Sequence, residues 1–105
     1  MTIKRWTNQQ NLLHRDDDLP AVEYSDGSKQ WYKNGLIHRD GGLPALVWED
    51  GYKEWWVGGQ RHRDGGLPAV EYLDGTKEWW ENGLILSKGQ RSLAPRPRQL
   101  SFKWM

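Results

Sequence analysis

The chain predicts an all-β fold, a single-sheet antiparallel meander of stacked β-hairpins built from 24-residue repeats. Three observations predict it. First, "HRDGGLPAVEYLDGTKEWWENGLI" at residues 62–85 recurs, lightly edited, at residues 38–61 and 14–37, with no insertion between copies. A fixed period of 20–50 residues is the mark of a repeat array. Second, Asp-Gly stands at 26–27, 50–51 and 74–75, and Asn-Gly at 34–35 and 82–83. These dipeptides are strong hairpin signals, because both turn residues favour φ > 0. Third, no segment has helical apolar spacing, and the 12 Gly are too frequent for long helices.

The elements follow in order. Residues 1–13 read as an N-terminal half repeat or cap. Residues 14–37, 38–61 and 62–85 are repeats 1, 2 and 3, each with two strands. In repeat 3, "AVEY" leads into the turn at Asp74-Gly75, "KEWWE" leads out, and Asn82-Gly83 reverses the chain again. "HRDGGLP" reads as a bulge or small loop, since Pro44 and Pro68 cannot donate a ladder hydrogen bond. Residues 86–105 read as a basic C-terminal tail or capping strand.

Composition narrows the function classes. A chain of 105 residues buries only about 60–65% of its unfolded surface, which argues against a deep enclosed active site. Cys is absent, so disulfides and thiolate metal sites are excluded. That fits a reducing compartment, and a cytoplasmic location is expected. The opening "MTIKRWTNQQ" has no apolar run of a signal peptide, and no stretch nears the ~20 apolar residues of a transmembrane helix. Charge is divided. Residues 1–87 carry 10 Lys/Arg and 14 Asp/Glu, whereas the tail carries Lys88, Arg91, Arg96, Arg98 and Lys103 and no acid.

Strand parity assigns faces, given a two-residue Asp74-Gly75 loop. Tyr72 then faces Lys77, Val70 faces Trp79 and Ala69 faces Trp80. One face carries Val70, Tyr72 and Trp79 with their repeat mates, and reads as the core. The other carries Ala69, Glu71, Glu78 and Trp80 with theirs, an aromatic column edged by acid. A one-residue register slip exchanges these assignments. A single sheet also needs its apolar face covered, by the aromatic column packing on itself, by the tail, or by a second copy in a homodimer.

"DGTKEWWENGLIHRDGG" resembles the MORN repeat in its Asp-Gly turn, aromatic strand, Asn-Gly turn and following His. The resemblance spans roughly residues 14–85. The variant with His-Arg, Pro-Ala and Trp-Trp is similar to repeats of phage, giant-virus and bacterial proteins. Here "KEWW" replaces the usual Tyr-x-Gly-x-Trp, and His-Arg replaces His-Gly. The resemblance implies an elongated sheet of hairpins serving as an interaction scaffold, with links to acidic phospholipids or dimerisation in some members. It also suggests a viral or phage adaptor that blocks a host protein, in which case the location is the host cytoplasm.

Candidate catalytic groups read better as architecture. "HRD" is the motif of the protein-kinase catalytic loop, but it occurs three times without a phosphate-binding loop or room for two lobes. His14, His38 and His62 lie about 10 Å apart in a sheet with two strands per unit, too far to share a zinc whose ligands lie ~2 Å from the metal. Each is expected to bond the neighbouring loop. Arg15, Arg39 and Arg63 are expected to stack on a Trp or pair with an acid. Acids such as Asp16, Asp17, Asp18, Glu49 and Asp50 lie on turn tips without a cleft; Asp17 and Asp18 replace the Gly-Gly of the other units and are expected to adopt positive φ. The column Tyr32, Trp56, Trp80 suits base or sugar stacking, but the body is acidic, which disfavours nucleic acid.

The middle repeat departs from its neighbours. Val47 stands against Glu23 and Glu71, Trp48 against Tyr24 and Tyr72, and Gln60-Arg61 against Leu36-Ile37 and Leu84-Ile85. Val47, Trp56, Tyr32 and Trp80, rimmed by Glu54 and Glu78, are therefore the expected partner-binding site. The tail contains "APRPR", suited to an extended linker. It is open to three readings: a flexible terminus, a capping strand, or a basic contact. The expectation is a non-enzymatic protein–protein interaction module without catalytic residues, cofactor or metal, presenting an aromatic and acidic face. The alternative is attachment to nucleic acid or anionic lipid through the tail.

Overall fold

The structure is a computed structural model and describes residues 2–89. It is all-β and antiparallel. Strands β1 (Ile3–Arg5), β2 (Val22–Tyr24), β3 (Lys29–Gln30), β6 (Leu46–Val47), β7 (Lys53–Glu54), β10 (Val70–Glu71), β11 (Lys77–Glu81) and β12 (Leu84–Gly89) form one eight-stranded sheet in chain order. The skipped strands form two small hairpins, β4 (Tyr32–Lys33) with β5 (Leu36–Ile37), and β8 (Trp56–Val57) with β9 (Gln60–Arg61). The molecule measures 45 × 27 × 18 Å.

The expected single sheet is thus divided, and Trp31 and Trp55 mark the division. The Trp31 N–H donates to Ala45 O in the main sheet at 2.8 Å, while its carbonyl accepts from His38 N–H beside the small hairpin at 3.0 Å. Trp55 bridges Ala69 and His62 in the same way, at 2.7 and 3.1 Å. In the third unit β11 runs through Trp79 unbroken and keeps both partners in one sheet, with a bulge between Trp79 and Trp80.

The two-residue turn assumed for Asp74-Gly75 is corrected to three residues. Gly75 N–H donates to Tyr72 O at 3.1 Å, and Tyr72 N–H donates to Thr76 O at 2.9 Å. Gly75 takes the left-handed conformation, φ 92°, while Asp74 Oδ1 accepts from Thr76 N–H at 2.8 Å. This is a turn closed by a left-handed Gly, with the Asp side chain holding the amide two residues on. The other two Asp-Gly turns repeat both contacts.

One extra turn residue moves every outgoing side chain to the other face. Val70 lies opposite Glu78, and Leu46 opposite Glu54. One face therefore carries Val22, Leu46 and Val70 with Gln30, Glu54 and Glu78. Tyr24 and Trp48 meet on this face at 5.8 Å between ring centroids, and Tyr52 and Tyr72 at 5.2 Å. The opposite face carries Ala21, Ala45 and Ala69, all buried, beside the buried Trp31, Trp55 and Trp79. Both faces bury residues, so neither is the sole core.

The His-Arg-Asp loops cover the Ala/Trp face. Trp31, Trp55 and Trp79 donate Nε1–H to the carbonyls of Asp18, Gly42 and Gly66 at 3.0, 3.0 and 3.1 Å. Arg39 and Arg63 lie 3.8 Å over the rings of Trp31 and Trp55, and Arg15 lies 3.7 Å over Trp6. Each guanidinium also donates to a loop carbonyl, of Pro20, Pro44 or Pro68, at 3.0–3.1 Å. Asp17 and Asp18 take φ of 65° and 57°, matching the left-handed Gly41-Gly42 and Gly65-Gly66.

Candidate functional site

The three histidines are clamps within units, each tying its His-Arg-Asp loop to the later hairpin turn of the same repeat. His14, His38 and His62 accept at Nδ1 from the backbone N–H of Asn34, Gly58 and Asn82, at 3.0, 2.8 and 3.0 Å. With Nδ1 accepting, Nε2 carries the proton and donates to Asp16, Asp40 and Asp64 at 2.7–2.8 Å. The hydrogen bond from His38 holds the Asp40 carboxyl below its ordinary range. Each ring serves its own repeat and none converges on a shared centre.

The expected site of Tyr32, Val47, Trp56, Trp80, Glu54 and Glu78 does not assemble as one surface. Val47 pairs with Lys53, next to the Leu46–Glu54 pair, so it points to the face opposite Glu54. Glu54 and Glu78, expected as an exposed rim, are only 7% and 6% exposed. Glu54 accepts from the Tyr52 hydroxyl, from Trp56 Nε1–H at 2.6 Å and from Arg61 at 3.4 Å. Glu78 accepts from the Tyr72 hydroxyl at 2.7 Å and Trp80 Nε1–H at 2.8 Å, with Lys88 Nζ at 3.7 Å. The physical reason is the register: it brings each Glu beside buried Val or Leu, where a carboxylate stands only if donors surround it.

These donors tune the cluster. Burial pushes the Glu78 carboxyl up, but the Tyr72 and Trp80 bonds, with Lys88 and Arg61, outweigh it and hold Glu78 below its ordinary range. Burial and the bond to Glu54 push the Tyr52 phenol up, and the bond to Glu78 leads the same upward shift at Tyr72. Arg61 stands between two indoles, 5.1 Å from the Trp56 ring centroid and 4.9 Å from that of Trp80. Its repeat mates are Ile37 and Ile85. The middle unit's Arg thus links two members of the aromatic column. Half-buried Tyr32, the third, has its phenol raised by burial.

Tyr32 and Trp56 instead border two equivalent grooves between successive His-Arg-Asp loops. The first, about 160 Å³, joins Tyr32 and Lys33 to His14, the Asp16 loop and Asp40. The second, about 300 Å³, joins Trp56 and Val57 to Leu43, Leu67, Asp40 and Asp64. In the second groove Leu43, Val57 and Leu67 are 43%, 45% and 48% exposed, and the rim residues Asp40 and Asp64 stand out in solvent. Sequence reading missed Val57, Leu43 and Leu67. The signal was present, because Val57 stands against Lys33 and Glu81 just as Val47 stands against two Glu.

Of the basic tail, Lys88 is in β12 and lies beside Glu78 and the Tyr72 ring. Arg91, Arg96, Arg98 and Lys103 lie outside the described residues. Among the described residues no helix is long and apolar enough to cross a membrane, and no group of three His, Cys, Asp or Glu is placed to hold a metal ion. Comparison with protein-family models, with curated proteins and with solved structures finds no match to this chain.

Proposed function

We propose that the chain is a non-enzymatic protein-interaction module whose contact point is the groove between the second and third His-Arg-Asp loops. The observation that carries this reading is Val57. The flanking units have Lys33 and Glu81 at that position, whereas the middle unit has an apolar side chain continuous with Leu43, Trp56 and Leu67. An apolar centre with a solvated rim is the usual anatomy of a binding hot spot. Arg39 and Arg63 also line the groove but lie over Trp31 and Trp55, which leaves Asp40 and Asp64 as its most exposed charges, so the partner that fits is a polypeptide segment with a large apolar side chain flanked by Lys or Arg. The other chemistry-bearing side chains argue against an enzyme: the histidines hold turns, and Glu54 and Glu78 are surrounded by donors.

Display of a random peptide library tests the reading. The wild-type chain should enrich apolar peptides with basic flanks, and Val57→Glu should bind them at least tenfold more weakly. Enrichment of no such class, or equal binding by the variant, overturns the site. The alternative of attachment to an anionic polymer or lipid rests on Arg91, Arg96, Arg98 and Lys103, since Lys88 is engaged by Glu78. Such binding would weaken steeply with salt and ignore Val57.

A further inference from the structure

Each His-Arg-Asp loop makes one hydrogen bond that only a neutral imidazole can make. His14, His38 and His62 accept at Nδ1 from the backbone N–H of Asn34, Gly58 and Asn82, at 3.0, 2.8 and 3.0 Å. Protonation puts a hydrogen on that nitrogen. Both nitrogens of the cation then donate, so no rotation of the ring offers the turn amide an acceptor. Two N–H groups do not stay face to face at hydrogen-bond distance, and either the ring or the turn must move.

The surroundings decide which one moves. Nε2 of each ring already lies 2.7–2.8 Å from Asp16, Asp40 or Asp64. A charge on the ring turns that contact into an ion pair, which keeps the ring on its own loop. The part released is therefore the turn. Its other ties do not titrate: Gly35, Gly59 and Gly83 donate to the carbonyls of Leu13, Ile37 and Arg61 at 2.8–2.9 Å. Each turn thus stays on the preceding unit and leaves its own loop.

The other charges near the rings do not replace this bond. His14 and His38 line the first groove with Arg15, Lys33 and Arg39 and with Asp16, Asp17, Asp18 and Asp40, beside the Tyr32 phenol. His62 lines the second with Arg39, Arg63, Asp40 and Asp64. Both signs are present in each groove. Of the clamped turns, Asn34 follows Lys33 and Asn82 follows Glu81, whereas Gly58 stands between Val57 and Gly59 with no charge adjacent. Arg39 N–H bonds Trp56 O at 3.1 Å and holds the base of that hairpin whatever the ring's charge. What His38 controls is its tip, Val57–Gly58.

We propose that the three histidines form a latch that acid opens. Protonation frees the Asn34, Gly58 and Asn82 turns from their loops, and at Gly58 it loosens the wall of the Val57 groove, so the chain docks its partner near neutrality and releases it in acid. The release step rests on the docking reading above; the latch does not. Imidazole changes charge between about pH 5 and 8. Carboxylates, phenols, ammonium and guanidinium groups ordinarily keep their charge state across that window, so the rings are what responds. Val57 adjoins Gly58 and lines the groove with Leu43 and Leu67, which is why the tip of this hairpin matters to it.

Nuclear magnetic resonance of the full chain tests the latch. Hydrogen exchange at Asn34, Gly58 and Asn82, taken relative to the intrinsic rate at each pH, should speed up at least tenfold between about pH 7.5 and 5.0, following the ring titration. The Gly59 and Gly75 amides donate to backbone carbonyls and should not respond. His38→Asn keeps an acceptor near the Nδ1 position that acid does not protonate. It should abolish the response at Gly58 and leave it at Asn34 and Asn82. Protection at Gly58 that ignores the ring titration overturns the proposal. Docking is read separately, with the tightest peptide free of His, Asp and Glu from the library selection. The wild-type chain should bind it at least fivefold more weakly at the acid end, and His38→Asn equally at both ends. Responsive amides with pH-independent binding overturn the release step. A library that yields no peptide fails the docking reading and the release step with it, while the amides still decide the latch.

Discussion

Asp18 accepts two hydrogen bonds from Arg39, from Nε at 2.9 Å and from Nη2 at 3.2 Å, across the junction of the first two units. In the neighbouring units the equivalent Arg15 and Arg63 pair with Glu23 and Glu71, each at 3.3 Å. The middle unit has Val47 there and offers no carboxylate. Asp18, standing where the other loops have Gly42 and Gly66, supplies it from the preceding loop. The two departures from the repeat are therefore one exchange of partners, and Arg39 keeps its place over Trp31.

A double-mutant cycle should detect this coupling. Asp18 is half-exposed, so the pair is discounted to the surface range, about 0.5–1 kcal/mol. Asp18→Asn, which removes the charge and still tolerates the left-handed backbone there, should cost about that much in the wild type and distinctly less in a Val47→Glu background, where the new carboxylate can take Arg39. Denaturant unfolding of the four chains measures it. Strict additivity would mean that Val47 and Asp18 are unrelated.

The histidine clamps should be worth more than their exposed surroundings suggest. Removing the His38 ring deprives Gly58 N–H of its acceptor and uncouples two loops. His38→Ala should destabilise the chain by about 1–2 kcal/mol and raise the exchange rate of the Gly58 amide. His14→Ala should do the same at Asn34. Amide exchange that is unchanged at these two positions would show that the rings do not hold the turns.

Acid should unfold the protein partly through Glu78. Its carboxyl is held below the ordinary value of 4.5 in the folded chain. A depressed folded value means that the contribution is complete above the unfolded value and is lost as pH falls through the folded one. Tyr72→Phe removes one of the donors that oppose the burial effect, so the acid unfolding midpoint should move to higher pH. Glu78→Gln should flatten the pH dependence in the same window, at a cost in stability of about 1–3 kcal/mol near neutrality. A titration monitored by tryptophan fluorescence separates these outcomes. Identical acid midpoints for wild type and Tyr72→Phe would remove Glu78 from the explanation.

The unit, its 24-residue period, the turn positions and the all-β class were legible in the residues themselves, because local chemistry decides them. Asp-Gly needs left-handed backbone, Pro leaves a ladder, and aromatic and β-branched runs make strands. That each His makes one loop contact per repeat was legible too, although the contact is with the later turn of its own unit. What the tertiary structure alone decided was which side chains share a face. A single additional turn residue in each unit, with Trp48 N–H bonded to Tyr52 O and Tyr72 N–H to Thr76 O rather than a two-residue loop, separated Val47 from Glu54 and turned both glutamates inward. The division of the sheet at Trp31 and Trp55 then set Trp56 and Val57 beside the His-Arg-Asp loops. Register and groove both depend on backbone hydrogen bonds between distant segments, and residue spacing along one strand carries no record of those partners.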